Sequence, residues 1–135
     1  MFRCLSYVHS KGYLHRDLIF TNILLVHYED GNSMVKLSDF GLVKEPDSTL
    51  TSIDSEIKGS LNDSNLRVIG FSNFSIVYET YALTLVILFV MTGLQNIDRI
   101  RDDKIKQFVL KGLAPDTRNR YQNVDDLKAA FNETF

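Results

Sequence analysis

Residues 76–92 constrain the fold most, because their apolar side chains cover nearly the whole circumference of a predicted helix. Ser75 stands where a helix N-cap is expected, and Gly93 follows where a left-handed glycine would end the helix. A helix that is apolar on all sides is surrounded by protein. We therefore predict that residues 76–92 form the central helix, with the other elements packed around it.

A membrane span is the alternative for the most apolar part of this stretch. Residues 81–91 form an apolar run that only Thr84 interrupts. A helix needs about 20 such residues to cross a bilayer, so the run is too short and we predict no membrane partner.

Length and composition predict a single domain over residues 1–135, since 135 residues with 44% apolar content are enough for one core. The net charge is −2, and the 15 basic and 17 acidic residues are mixed along the chain, which predicts no nucleic-acid partner. Cys4 is the single cysteine, and the N-terminus does not resemble a signal peptide. We expect a cytoplasmic protein.

Elsewhere the pattern predicts a mainly α fold with one small β-hairpin, an α+β class. Residues 45–65 are rich in Ser, Thr, Asp and Asn, and we predict an extended surface segment there. The remaining predicted elements are a short helix at 2–9, strands at 23–26 and 34–37 joined by a turn at 28–32, helical pieces within 97–110 on both sides of Asp102, and a last helix at 124–131.

The predicted hairpin separates two polar motifs. Asn22 precedes its first strand and Asp39 follows its second, so antiparallel pairing would bring both residues to the same end of the ribbon. Carboxylate and amide oxygens are ligands that magnesium accepts. Asp17 precedes Asn22 by five residues and would add a carboxylate beside the same site. Taken alone, Asp17 is equally well explained as a loop-capping aspartate.

Residues 15–22, His-Arg-Asp-Leu-Ile-Phe-Thr-Asn, resemble the catalytic loop of eukaryotic-like protein kinases, and residues 39–41, Asp-Phe-Gly, are similar to their magnesium-binding motif. The likeness continues through residues 7–12, which resemble the approach to that loop, and 79–83, which resemble the start of the family's central helix. Arg118 or Arg120 lies near the family's structural arginine. The resemblance implies the large, C-terminal lobe of a kinase domain.

The resemblance also implies roles for single residues. Asp17 would orient or accept the proton of a substrate hydroxyl, while Asn22 and Asp39 would bind magnesium that bridges the phosphates of ATP. Leu24 resembles the floor under the adenine, although a strand leucine is also ordinary core. Arg16 and Lys44 resemble the pair that receives a regulatory phosphate. Candidate phosphate acceptors follow at Ser48, Thr49, Thr51, Ser52 and Ser55, and the alternative is that they are solvated loop hydroxyls.

His15 and Phe40 are interpreted as packing residues. In the family the equivalent positions belong to a stacked apolar column, and an aromatic residue beside glycine is ordinary core in any case. We predict no metal-binding role for His15.

Several positions depart from the family pattern. Ile19 stands where serine/threonine kinases place a lysine, Phe20 replaces a proline, and Thr84 replaces a helix glycine. Glu79 stands where an aspartate ties the catalytic loop to the central helix. Residues 61–67 contain no Ala-Pro-Glu, so we expect the ion pair between this segment and the late arginine to be missing.

No glycine-rich phosphate loop, strand lysine or partnering glutamate helix precedes the catalytic loop in this sequence. The expectation is a truncated kinase domain that lacks its small lobe, exposes the apolar surface which that lobe covers, and binds nucleotide weakly. By itself such a chain is predicted to be inactive or very weak.

Three functions stay open at this stage. The first is a fragment of a protein kinase that phosphorylates Ser or Thr hydroxyls of protein substrates once a small lobe or a kinase partner chain completes it; Ser/Thr is preferred over Tyr on frequency alone. The second is a pseudokinase-like protein-binding module or the product of a degraded kinase gene. The third, a small-molecule phosphotransferase of the aminoglycoside-kinase kind, ranks last because that family lacks the Asp-Phe-Gly motif.

Overall fold

The structure is a computed structural model, and it describes residues 1–40 and 61–135. The described part is mainly helical with one antiparallel strand pair. Its elements are α1 Phe2–Ser10, β1 Ile23–His27, β2 Ser33–Leu37, α2 Leu66–Ile69, α3 Ile76–Thr92, α4 Asp103–Gly112 and α5 Val124–Thr134, with single 3₁₀ turns at Phe20–Asn22, Phe71–Asn73, Ile97–Arg99 and Thr117–Asn119.

Helix α3 begins and ends where the sequence predicts. Ser75 is extended at the N-cap position, although its side chain makes no capping hydrogen bond. Gly93 has φ of 70°, in the left-handed region, and its N–H bonds to the Phe89 carbonyl at 2.7 Å. Because a residue with a Cβ is strained at that φ, the glycine ends the helix there.

The core surrounds α3, as predicted. Helices α4 and α5 pack against α3, and α1 packs against α5. By length and apolar composition Ile76–Arg99 could cross a membrane, but 56% of its apolar window is buried inside the fold. One cluster of buried apolar residues, drawn from most of the described elements, forms the core: Leu5, Leu18, Ala82, Leu83, Ile87, Leu88, Ile100, Phe108, Val109, Tyr121, Val124 and Leu127.

Polar caps set the starts of the last two helices. The Asp102 carboxylate accepts hydrogen bonds from the N–H groups of Lys104 and Ile105 at 2.8 and 3.1 Å, before α4. Asn123 accepts from Asp126 N–H at 2.8 Å, before α5. Such caps satisfy N–H groups that the first helical turn leaves unpaired. The predicted break at Asp102 and start behind Asn123 are confirmed.

Strands β1 and β2 form the predicted hairpin. Ile23 pairs with Leu37 at one end and His27 with Ser33 at the other. The turn is closed by Tyr28 N–H donating to the Asn32 carbonyl at 2.9 Å, and Gly31 in it has φ of 82°. Most residues of both strands are exposed, so the hairpin projects from the helical body.

The prediction of an extended surface segment over residues 45–65 holds only in part among its described residues, 61–65, which form turns with Ser64 and Asn65 exposed. Residues 41–60 lie outside the described residues, but Asp63 is buried and the Leu66 side chain is completely buried. Leu66–Ile69 then forms the short helix α2, which the sequence did not predict. The polar character of the segment concealed the burial of Asp63, because the residue that pairs with Asp63 is distant in sequence.

Candidate active site

Asn22 is hydrogen-bonded directly to Asp17. Its Nδ2 donates to the Asp17 main-chain oxygen at 2.9 Å and to Asp17 Oδ2 at 3.0 Å. Both side chains are buried, with 8% of Asp17 exposed. The second carboxylate oxygen, Oδ1, is buried and has no hydrogen-bond partner among residues 1–40 and 61–135. A buried acceptor without a partner is unfavourable unless a ligand uses it.

The hairpin brings Asp39 to the same end as Asn22. Ser38 N–H donates to the Asn22 carbonyl at 2.9 Å, which extends the strand ladder by one step beyond the Ile23–Leu37 pair. Asp39 is the next residue, and its φ of 58° is left-handed. The chain therefore leaves the strand direction at Asp39. The predicted juxtaposition of the two motifs is confirmed at the level of the backbone.

His15 and Phe40 pack against each other beneath this end of the hairpin. Their ring centroids are 4.7 Å apart, and His15 Nε2 is 3.0 Å from the Ser38 carbonyl, to which it can donate. His15 is fully buried. These contacts hold the segment of Asp39 against the loop of residues 15–22, and they agree with a packing role for His15. Phe40 is 44% exposed, so only part of its ring packs and it is not ordinary core.

The backbone of the loop is tied to α3 by Glu79. Arg16 has φ of 68°, a strained value for a residue with a side chain, and its N–H donates to Glu79 Oε1 at 2.6 Å. Glu79 is 1% exposed. The glutamate thus makes the connection for which the sequence pattern expected an aspartate, and it stabilises Arg16 immediately before Asp17.

The Arg16 side chain turns away from Asp17 and packs on aromatic rings. Its Nη2 donates to the Phe71 carbonyl at 2.7 Å, and its guanidinium lies 4.2 Å from the Phe71 ring centre and 5.6 Å from that of Phe74. Burial lowers the pKa of Arg16, and the Glu79 charge opposes that shift. Lys44, the predicted partner in a phosphate pocket, lies outside the described residues, as does Gly41.

The oxygen atoms of Asn22 and Asp39 suit magnesium only if further oxygen ligands complete its coordination. Within residues 1–40 and 61–135, no three His, Cys, Asp or Glu side chains gather into a group that could hold a metal ion. Asn22 uses its amide nitrogen toward Asp17, which leaves its amide oxygen as a possible ligand beside Asp39. Magnesium bound to few protein groups and to substrate phosphates is a common arrangement.

Comparison with known families identifies the family of the chain, since the family described as protein kinase domain matches residues 1–132. The chain belongs to the protein kinase family. A curated relative is the wall-associated receptor kinase-like 4 of Arabidopsis thaliana, 27% identical over 125 residues and covering 90% of this chain. Another is serine/threonine-protein kinase PBL35 of the same plant, 31% identical over 101 residues and covering 72%.

Solved kinase structures share the fold. The kinase domain of Mycobacterium tuberculosis PknI superposes with a TM-score of 0.70 at 21% identity, covering 98% of this chain and 50% of the solved chain. The Cydia pomonella granulovirus kinase PK-1 gives 0.67 at 17% identity, covering 93% and 52%. The chain therefore spans about half of these structures, and it spans 16% and 20% of the two plant relatives.

One prediction from the kinase pattern is wrong, because the ion pair expected to be missing is present. Asp63 Oδ2 and Arg120 Nη2 are 2.5 Å apart, and both side chains are buried. Arg120 also donates through Nε to the Ala114 carbonyl at 2.6 Å and lies 4.7 Å from the Tyr81 ring centre. Asp63 replaces the missing glutamate, so this kinase segment does close onto the late arginine. Arg118, the other candidate, is exposed.

Leu24 occupies an exposed position on the kinase hairpin. It lies in β1 opposite Lys36, and 45% of its surface is accessible. It is therefore not core, which was its alternative interpretation. Leu24 thus presents an accessible apolar side chain near the Asn22 end of the ribbon.

Two residues of the site were not found from the sequence. Asp63 belonged to the segment predicted to be a polar surface, and His9 lay without a separate role in residues 7–12. His9 Nε2 lies 2.5 Å from Glu79 Oε2, across 70 positions of sequence. No local pattern marks either contact, because each depends on how distant helices pack.

Proposed function

We propose that this chain is the catalytic half of a protein kinase that transfers the γ-phosphoryl group of ATP to Ser or Thr hydroxyls of protein substrates. The observation that carries the proposal is Asp17 Oδ1, a buried acceptor without a partner in the described residues, beside an Asn22 that fixes the other carboxylate oxygen. Several relatives at 28–31% identity carry the name serine/threonine-protein kinase, which supports the choice of Ser/Thr acceptors.

The work of the protein in this reaction is positioning. Asp17 Oδ1 accepts a hydrogen bond from the substrate hydroxyl and orients its oxygen toward the phosphoryl group. Asn22 keeps the carboxylate in place through its two hydrogen bonds. Glu79 keeps the backbone of the loop in its left-handed turn. Asn22 and Asp39 would hold magnesium, which neutralises phosphate charge when it is bound.

ATP binding requires surfaces beyond this chain. Since the chain spans about half of the solved kinase structures, we propose that a small lobe, on the same polypeptide or on a partner chain, completes the cleft over Leu24 and Asp39. This explains the exposed apolar residues of the hairpin. It also agrees with the expectation that residues 1–135 alone are inactive or very weak.

A second candidate is a kinase-like module that binds protein without catalysis. Ile19 favours it, because an apolar side chain two residues after Asp17 provides no positive charge for the transferring phosphate. Under this proposal the exposed hairpin would be the protein-binding surface.

Phosphotransfer separates the two candidates. The chain is joined to the small lobe of a related serine/threonine kinase, and transfer of labelled γ-phosphate from Mg-ATP to casein is measured. Asp17→Asn should lower the rate about 10²–10⁴-fold, because the oriented acceptor is lost. Asp103→Asn is the matched control, since Asp103 is exposed on α4, and it should leave the rate within the error of the assay.

Equal transfer by the parent chimera and by Asp17→Asn would contradict a catalytic role for Asp17. A chimera that binds Mg-ATP but transfers no phosphate would favour the non-catalytic module.

A further inference from the structure

A buried chain of hydrogen bonds links α1 to the catalytic loop through α3. His9 Nε2 lies 2.5 Å from Glu79 Oε2, and Glu79 Oε1 accepts from Arg16 N–H at 2.6 Å. One carboxylate thus serves an imidazole on one side and a backbone amide on the other. The next residue after this amide is Asp17.

Both hydrogen bonds in this series depend on the Glu79 carboxylate. The carboxylate is 1% exposed, so solvent cannot replace a partner that is weakened. Arg16 has φ of 68°, a conformation that persists only when its surroundings hold it. The bond from Arg16 N–H to Glu79 is one of those constraints. A change in the acceptor strength of Glu79 therefore reaches the backbone beside Asp17.

His9 is the group that can change that acceptor strength. Histidine is the side chain whose ordinary titration falls between pH 5 and 8. Two donors on one carboxylate compete for its electron density, and hydrogen bonds polarise each other strongly in a buried site. A cationic ring draws that density toward itself and weakens the bond to Arg16. A neutral ring donates more weakly, so the bond to Arg16 tightens.

We propose that His9 is a pH-sensitive positioning residue, whose charge is transmitted through Glu79 to the backbone of the catalytic loop. The solvent can exchange protons with it, since 10% of its side chain is accessible. The inference concerns the geometry of the loop and does not depend on phosphotransfer.

Among the described residues, few other charged groups lie near the hydrogen bonds that join His9, Glu79 and Arg16. The Arg16 guanidinium is close enough to Glu79 for their charges to interact. Asp125 on α5 reaches α1 at Ser6, whose hydroxyl donates to it at 3.3 Å. His9 Nδ1 is buried and has no acceptor or donor opposite it in residues 1–40 and 61–135.

Nuclear magnetic resonance of the full 135-residue chain tests the proposal. The His9 ring carbons and the Arg16 amide are followed together as pH is raised. The Arg16 amide proton should move downfield with the same midpoint as the His9 ring, since a stronger hydrogen bond deshields the proton. His9→Gln should abolish that pH-dependent movement.

His27→Gln is the matched control, because His27 lies at the far end of β1 and its ring bonds to Ser33 on the neighbouring strand. It should leave the coupled movement unchanged. An Arg16 amide that stays still while His9 titrates in the parent chain would overturn the proposal. This decisive comparison needs no variant, so it holds even if His9→Gln fails to fold.

Discussion

At the scale of single residues, the Asp63–Arg120 pair makes the sharpest prediction. Arg120→Met removes the cation and leaves the Asp63 carboxylate buried without its partner. We expect the free energy of unfolding to fall by about 3–5 kcal/mol, the usual effect of breaking a buried ion pair. Chemical denaturation of the parent chain and the variant measures this loss.

The chain supplies its own control for that experiment. Arg118 pairs with Asp116 at 2.8 Å, but its side chain is 87% exposed. Solvent screens such a pair, so Arg118→Met should leave the denaturation midpoint nearly unchanged. The double variant Asp63→Leu with Arg120→Met should recover part of the loss, because no buried charge is then left unpaired. Equal midpoints for the two arginine variants would contradict the role given to Asp63.

The sequence predicted those parts of the site that are formed by residues close to one another in the chain. Asp17 and Asn22 are five positions apart, and a hairpin connects Asn22 to Asp39, so motif and turn chemistry were enough to bring them together. Asp63 and Arg120 are 57 positions apart. Their contact depends on how the segment before α2 meets the segment after α4, which no local pattern encodes.

At the scale of elements, α3 and α4 approach closely at one point. A Cβ added to Gly112 would lie 2.8 Å from Thr84 Cβ and 2.5 Å from its Cγ2, and closer still to Oγ1. Thr84 stands on α3 where the kinase pattern has glycine. The small residue at this crossing is therefore provided by α4 instead.

Gly112→Ala should destabilise the chain by about 1–3 kcal/mol, because the added methyl group overpacks the crossing. That direction is opposite to the helix preference, which favours alanine over glycine. Thr84→Gly in the same chain should remove the clash. In a double-mutant cycle, the loss in the double variant should be smaller than the sum of the single losses.

Thermal denaturation of the four chains measures this coupling. Lys106→Ala, an exposed change on α4, controls for effects of alanine on the helix itself. Additive losses would mean that Thr84 is not the obstacle at Gly112.

Helix and strand bounds were predictable because capping residues, turn residues and apolar periodicity are all local properties of the sequence. Asp102, Asn123 and Gly93 mark ends that the structure confirms. Helix α2 was not predictable, since it has four residues and no cap from its own N-terminal side chain. What holds it is the buried Leu66, a tertiary contact.

At the scale of the whole molecule, the hairpin exposes a group of apolar side chains away from the core. Leu25 and Val35 face each other across the strands, and both are exposed. Leu24, Tyr28 and Met34 are exposed elsewhere on the same hairpin, with Leu24 and Met34 on the opposite face of the ribbon. A ribbon of two strands with open edges and apolar surface favours association.

We therefore predict that Leu25→Thr with Val35→Thr reduces self-association of the chain, because both substitutions keep strand preference while removing apolar surface. Sedimentation velocity at several concentrations measures the change. Val68→Thr is the control, since Val68 is 86% exposed but lies on α2. Association that responds as strongly to Val68→Thr would show that the hairpin is not its cause.

The hairpin has a practical consequence for labelling this molecule. Its connecting turn lies at the far end from Asn22 and Asp39, five paired steps away along the ladder. Gly31 there is exposed, and a Cβ at this position would meet nothing within 4 Å. A short epitope or a fluorophore-binding peptide inserted at this tip would lengthen the ribbon outward and leave the register of the strands intact. The turn is therefore a suitable insertion site for an imaging or capture tag, because it lies far from the residues of the candidate active site.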